Sequence, residues 1–420
     1  MGMKLLTKVH ELLRLGRLIA TAMSRTKTTH AHDPELVVTS EHLDLDMLER
    51  NVELRHHKNN MPKIRNLMKA LQEGNEEVRS QLNAELEQLP NATHPRLLNY
   101  NNKPRELAYY GQDKPPTSVK EFSELCRVLN LCRMDHLGNY TGHKSYYLSG
   151  QLAMLEQAII QYALRSVTDH GFELISVPDI LPKEVIESCG MRTEGERTQV
   201  YKLDTGECLS GTSEMALAGY FANKVLDEEE LPLKVTAVSR CFRAETSSLQ
   251  EEKGIYRVHQ FTKVEMFAIC TPQQSEIELE EFKNIELALF KQLGINFRLL
   301  DMPPCELGAP AYQKYDIEAW MPGRNMWGEI SSCSNCTDYQ AKRLNIKYKQ
   351  KTGGKLAFAH TINGTATAIP RLLIALIESH QRAGNVDLPA VLVPFMDGRQ
   401  IIAKDKRIPE TKLVKSIKVS

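Results

Sequence analysis

Arg257-Val-His-Gln-Phe-Thr-Lys-Val-Glu265 is the stretch on which the reading of this chain turns, because it has the composition of a β-strand. Successive strand side chains point to opposite faces, so Arg257, His259, Phe261, Lys263 and Glu265 are expected on one face, cationic, aromatic and acidic in order. The alternate row, Tyr256, Val258, Thr262, Val264 and Met266, reads as core. Strand residues four apart are separated by roughly 13 Å, enough for an elongated ligand of mixed charge. Upstream, Phe242-Arg243-Ala-Glu245 again sets an arginine and a glutamate on one face, and a loop containing Gln250-Glu-Glu-Lys-Gly254 joins the strands. The hairpin thus offers Arg243, Arg257, Glu245 and Glu265 to one ligand. Taken alone, the row fits a surface strand of paired charges equally well.

Working outward, helical stretches at 152–167 and 275–293 alternate with β-rich runs at 235–239, 258–270 and 297–301, an α+β pattern. From residue 61 to 89, Ile64, Leu67, Met68, Leu71, Val78, Leu82, Leu86 and Leu89 follow helical spacing with Pro62 suited to a first turn. This is one helix, or two hinged at Gly74-Asn75. Residues 103–117 are polar and proline-bearing, so they read as a linker, and the larger unit is placed at 118–397. Residues 398–420 form a basic segment with little apolar periodicity, expected to be mobile.

The chain has 420 residues, 42% of them hydrophobic, which suits one large core and a smaller second unit. Its 53 basic residues balance 53 acidic ones, so a nucleic-acid signal has to be local. No apolar run is long enough to cross a membrane. Nine cysteines, mostly scattered singly, suit a reducing compartment, and the pair Cys333 and Cys336 reads as packed thiols. Residues 1–32 carry Lys4, Lys8, Arg14, Arg17, Arg25 and Lys27 against Glu11, with leucines at helical spacing; this reads as a mitochondrial matrix presequence, with an ordinary basic amphipathic helix opening a cytosolic domain as the alternative.

FRAE (242–245), a loop and GIYRVHQFTKVEMF (254–267) resemble motif 2 of the class II aminoacyl-tRNA synthetases in its seryl form. HTINGTATAIPRLLIALIESHQ (360–381) resembles motif 3, with Arg371 opening an apolar helix. GHKSYYLSGQLAMLEQAIIQYALRSVTDHGFELISVPDIL (142–181) resembles motif 1 and its preceding helix, with Pro178 at the expected dimer-interface strand. GTSE (211–214), ELGAPAYQKYDIEAWMPG (306–323) and GEISSCSNCTDYQAKR (328–343) are similar to seryl-tRNA synthetases, mitochondrial ones above all.

The resemblance implies a class II antiparallel sheet flanked by helices, with a small N-terminal helical domain over 33–117 that binds tRNA. It implies serine and ATP as substrates, Mg²⁺ as cofactor, tRNA(Ser) as acceptor and a homodimer, with a heterodimer with a paralogue as the variant arrangement. By motif match, Arg243 holds the α-phosphate and the serine carboxylate, Arg371 the γ-phosphate and Arg257 the bent triphosphate. Phe261 stacks on adenine, Glu245 meets its amino edge, and Glu329 and Ser332 bind Mg²⁺ through oxygen. Thr212, Glu214, Glu265, Asn363 and Thr365 match the serine-contacting positions, with Glu265 reading the hydroxyl. Displacement of pyrophosphate by a carboxylate needs alignment and charge stabilisation, which such a set supplies.

The family's long two-helix arm has no room between residues 44 and 95, where one helix or two short ones fit. Lys63, Arg65, Lys69 and Arg79 there read as a solvated face, with phosphate contact as the alternative. Smaller departures are Ser213 in place of alanine and Lys253 in place of arginine. The short arm keeps two other readings open: a catalytically silent paralogue that serves as an RNA-binding or dimer partner, and an enzyme that loads a carrier other than tRNA.

Overall fold

The computed structural model describes residues 43–111, 119–134, 144–195, 198–245 and 253–404. The presequence expected over 1–32, part of the 245–254 loop and residues 405–420 lie outside these.

The first described unit is a small helical one. Helix α1 (Leu45–Leu54) begins where Asp44 Oδ1 accepts the backbone N–H groups of Asp46 and Met47. Helix α2 (Met61–Gln72) has Pro62 in its first turn and Asn60 as its cap. Gly74, at φ +93°, then lets the chain turn into α3 (Arg79–Glu87), so the two-helix alternative holds for 61–89, whereas between residues 44 and 95 there are three short helices in place of the one or two expected. At about 1.5 Å per residue the 12 residues of α2 span about 18 Å. The apolar faces meet through Val52, Ile64, Met68, Leu71 and Leu82.

A core this small is marginal by itself, and it is docked on the rest of the molecule. Arg55, only 5% exposed, donates to the carbonyls of Asn91 (2.6 Å), Gly308 (2.6 Å) and Ala311 (3.0 Å). Asn91 Nδ2 donates to Pro310 O and Cys336 O, both at 2.8 Å. The basic residues of the hairpin pair with carboxylates of the same unit. Lys63 meets Glu85 at 2.6 Å, Arg65 meets Asp46 at 2.6 Å, Lys69 meets Glu73 at 3.9 Å and Arg79 meets Glu76 at 2.7 Å.

The second unit is built on an eight-stranded sheet. In chain order its strands are β1 (Arg105–Tyr110), β2 (Glu173–Leu174), β3 (Leu233–Phe242), β4 (Gln260–Cys270), β5 (Phe297–Asp301), β6 (Gln313–Met321), β7 (Met326–Thr337) and β8 (His360–Ala368). Their spatial order is β1-β5-β6-β7-β8-β4-β3-β2, antiparallel except for the β2–β3 pair. Helices α4 (Phe122–Leu129), α5 (Gln151–Asp169), α6 (Lys183–Ser188), α7 (Ser213–Tyr220), α8 (Ser275–Gln292), α9 (Tyr339–Leu344) and α10 (Ile369–Ser379) flank it. One core joins the sheet to α5, α8 and α10, with Phe282, Phe290 and Phe297 fully buried. A second, around Phe267, Leu217 and Ile346, joins the β3–β4 end to α6, α7 and α9.

Three expectations need correction. Strand β1 falls inside the stretch read as a linker. It is a largely exposed edge strand with one neighbour, so it shows no apolar alternation, yet it pairs with β5. The expected boundary at 397 comes too early, since Ile401–Ile402 pairs with Asn385–Asp387 and Ile402 is buried. Finally, β4 starts at Gln260 after a turn, so the row on one strand face is Phe261, Lys263 and Glu265. Arg257 and His259 precede the strand.

Candidate active site

A cleft opens over β4, β7, β8 and the start of α10. Arg243, Glu245, Arg257, Phe261, Glu329, Ser332 and Arg371 line it together, although they come from segments far apart in the chain. Arg371 leaves the first turn of α10 and is held by two carbonyls, donating from Nη1 to Glu329 O (3.0 Å) and from Nε to Tyr256 O (3.2 Å). Its guanidinium lies 4.6 Å from the Tyr256 ring centroid, so Tyr256 is part of the cleft wall, whereas the strand alternation had put it in the core. Arg243 sits 5.2 Å over the Phe261 ring, and Arg257 Nη1 is 3.2 Å from Glu245 Oε2. His259 turns away from the cleft, with its Nδ1 2.8 Å from Tyr201 Oη and 3.0 Å from Arg243 O.

Glu329 and Ser332 are three apart on β7, a spacing that puts side chains on opposite faces of a regular strand. The register resolves this: Glu318 opposes Glu329, Ile317 opposes Ser331 and Asp316 opposes Ser332, so Ile330 is a β-bulge. Glu329 and Ser332 therefore share the face of Asp316 and Glu318. Burial alone would raise the Glu329 carboxyl, but Lys314, Arg371, Arg243 and Lys263 hold it below the usual carboxylate range. Burial, with Glu329 adding to it and Lys314 opposing, pushes the neighbouring Asp316 carboxyl up. An ionised carboxylate beside a hydroxyl is an oxygen donor pair of the kind Mg²⁺ accepts when phosphates supply its other ligands. The residues fit that ion.

Next to the cleft, toward α7 and α9, lies a hydrogen-bonded cluster of polar side chains, which we call the polar pocket. Thr212 caps α7, and Glu214 follows in its first turn. Glu214 Oε1 accepts hydrogen bonds from Asn363 Nδ2 and from Gln340 Nε2 (2.6 Å), and Gln340 Oε1 in turn accepts Thr361 Oγ1 at 2.7 Å. Glu265, 2% exposed, accepts Thr365 Oγ1 at 3.0 Å. Asn363 opposes Phe267 and Thr365 opposes Glu265 across the β8–β4 pairing, which sets these side chains on the same face. Burial, and then the nearby Glu265 carboxylate, push the Glu214 carboxyl up to about 7. Such a pair of buried carboxylates with hydroxyl and amide neighbours suits a small ligand carrying an ammonium and a hydroxyl.

The residues singled out in the sequence thus fall into two adjoining places, the cleft and the pocket, with Thr365 lining both. Lys263, present in the row but given no role, stands between them: it is ion-paired with Glu265 and donates to Thr212 Oγ1 at 3.4 Å. Gln340 was missed: it lies within the stretch 328–343, but no local signal gives it a role, since that role depends on a helix packing back over β8. Cys333 and Cys336 are both buried, as expected of packed thiols, but at i and i+3 they face different surroundings. Cys333 belongs to the core beneath the sheet, and Cys336 Sγ lies 3.6 Å from Asn363 Nδ2.

An antiparallel sheet whose motif arginines converge on an anion-binding cleft is the catalytic core of a class II aminoacyl-tRNA synthetase. Residues 201–380 match the family model described as tRNA synthetase class II core domain (G, H, P, S and T). Within that class the chain belongs to the seryl-tRNA synthetase family. It is 42% identical over 330 residues to the mitochondrial serine-tRNA ligase of Bos taurus, covering 76% of this chain and 63% of that one. It is 39% identical over 369 residues to the mitochondrial enzyme of Mus musculus, covering 86% and 71%. The seryl-tRNA synthetase of Pyrococcus horikoshii, solved with ATP, superposes at a TM-score of 0.73 with 31% identity over 86% of this chain and 88% of that one. The chain therefore spans somewhat under two thirds of the bovine relative and rather more of the mouse one.

Proposed function

We propose that this protein activates serine with ATP and transfers it to tRNA(Ser) in the mitochondrial matrix. The observation that carries the reading is the junction of an arginine-lined cleft with a pocket built on Glu214, Glu265 and Thr365. The serine ammonium meets the two carboxylates, and its hydroxyl meets Glu265 and Thr365. Its carboxylate then projects into the cleft toward the α-phosphorus of ATP. A carboxylate oxygen forms a bond to that phosphorus, the bond to the pyrophosphate oxygen breaks, and the electron pair leaves with pyrophosphate. Arg243 offsets charge on the α-phosphate and the carboxylate, Arg371 takes the γ-phosphate, and Arg257 keeps the triphosphate bent. Phe261 and Glu245 take the adenine face and its amino edge. Glu329 and Ser332 would hold Mg²⁺, which supplies charge neutralisation to the phosphates.

The mitochondrial names of the bovine and mouse relatives and the basic residues of segment 1–32 support the location. A homodimer is part of the proposal, by the resemblance of 142–181 to motif 1. The test is serine-dependent ATP–pyrophosphate exchange, with alanine and threonine as controls, followed by charging of mitochondrial tRNA. Exchange with serine alone is the expected result. Its absence from a folded sample would refute the reading and favour the silent paralogue.

A further inference from the structure

Lys263 is 8% exposed, and its ammonium rests on the polar atoms assigned above to the substrate. It is ion-paired with Glu265 Oε1, the oxygen that also accepts Thr365 Oγ1 at 3.0 Å, and it lies 3.4 Å from Thr212 Oγ1. An alkylammonium of the protein's own thus fills the place where that of an amino acid would bind. Its backbone is fixed in the middle of the sheet, with Ser239 opposite on β3 and Ala368 opposite on β8. The side chain, by contrast, is a flexible four-carbon stem, and it borders the cleft shared by Arg243, Glu329 and Arg371. Two ammonium groups at hydrogen-bonding distance from one carboxylate oxygen repel each other strongly at low dielectric. An incoming amino acid therefore displaces the lysine, and the cleft, where phosphate and carboxylate charge collects, is open to it.

We propose that Lys263 occupies the ammonium subsite of the empty enzyme and, on displacement by the ammonium of serine, carries its charge to the reacting carboxylate and α-phosphate. The inference rests on the serine-activating reading of this site. Lys263 contributes charge alone: no proton is transferred, and the bonds made and broken are those of adenylate formation. It is a catalytic residue whose resting position is set by the substrate it awaits.

Lys263→Met, which keeps the stem and removes the charge, separates this role from that of a simple structural partner for Glu265. The expected result is a fall of about 100-fold or more in kcat for serine-dependent ATP–pyrophosphate exchange, the size seen for loss of one charge-stabilising donor. Serine Kd, measured by isothermal titration without ATP, is expected to be unchanged or tighter, because the internal competitor is gone. A kcat within threefold of the wild type would overturn the proposal, and so would a serine Kd weakened tenfold, which marks a lysine that merely positions Glu265. Lys263→Gln gives the same reading if the methionine variant does not fold. Wild-type protein without serine-dependent exchange would remove the functional reading itself. Active wild type with an unaffected Lys263 variant would remove only the lysine.

Discussion

Replacing Glu214 by glutamine is expected to make the protein more stable and serine binding worse, with both effects set by pH. The Glu214 carboxyl is raised from 4.5 to about 7 by burial and then by Glu265. An acid whose folded-state value lies above its unfolded one penalises the folded state as pH rises. The penalty is absent below about 4.5, grows between 4.5 and 7, and is complete above 7. At about 1.4 kcal/mol per tenfold change in proton affinity, the full penalty is about 3 kcal/mol. Glutamine keeps an oxygen to accept from Asn363 and Gln340 and cannot ionise. About 1 kcal/mol moves the midpoint of a domain of 150–250 residues by about 2–4 °C. Circular dichroism melts of Glu214→Gln should therefore show a gain of about 5 °C or more at pH 8 and little at pH 5. Serine binding supplies the converse. Only the ionised carboxylate attracts the ammonium, so wild-type affinity should fall about tenfold from pH 8 to pH 6, as the competent fraction falls to about one tenth. In Glu214→Gln it should be weaker at pH 8 and nearly flat. A melting difference independent of pH, or a destabilised variant, would refute the reasoning.

Arg371→Ala removes a guanidinium held by two carbonyls at the cleft mouth, and adenylation should lose about 10²–10³-fold, about 3 to 4 kcal/mol; a near-normal exchange rate would contradict its assigned role. Alanine in place of serine leaves the buried Glu265 and Thr365 without their ligand partner. Its kcat/KM should be lower by about 10⁴-fold, and exchange supported comparably by alanine would show that the pocket does not read the hydroxyl. Arg55→Met strips a charged donor from buried carbonyls of residues 91, 308 and 311 and should cost about 3 kcal/mol in the docking of the helical unit. Limited trypsin digestion should then release residues 43–90 faster than from the wild type, and equal rates would dismiss the clasp.

The legible part of this molecule is the part governed by local periodicity. Helix α8 lies where its helical spacing puts it, because its apolar residues repeat against one buried face, and β5 lies where a short apolar run puts it, because both of its faces are buried. The motif residues of both halves of the site were visible for a different reason: their chemistry is distinctive and their order along the chain matches a family. Other features have no local signature. Strand β1 is exposed and edge-paired, so its polar sequence reads as linker. The bulge at Ile330, which turns Glu329 and Ser332 to one face, exists only as a register between two strands. Gln340 reaches Glu214 across 126 positions of sequence, and Arg55 reaches Ala311 across 256.

By itself, then, the sequence determined the α+β pattern, the family and the residues proposed to meet ATP and serine, because spacing and residue type are properties of neighbouring positions. Only the tertiary structure decided which of them share a face, where Lys263 rests and how the carboxylates perturb one another. Those are consequences of distance in space, set by strand register and helix packing between segments far apart in the chain.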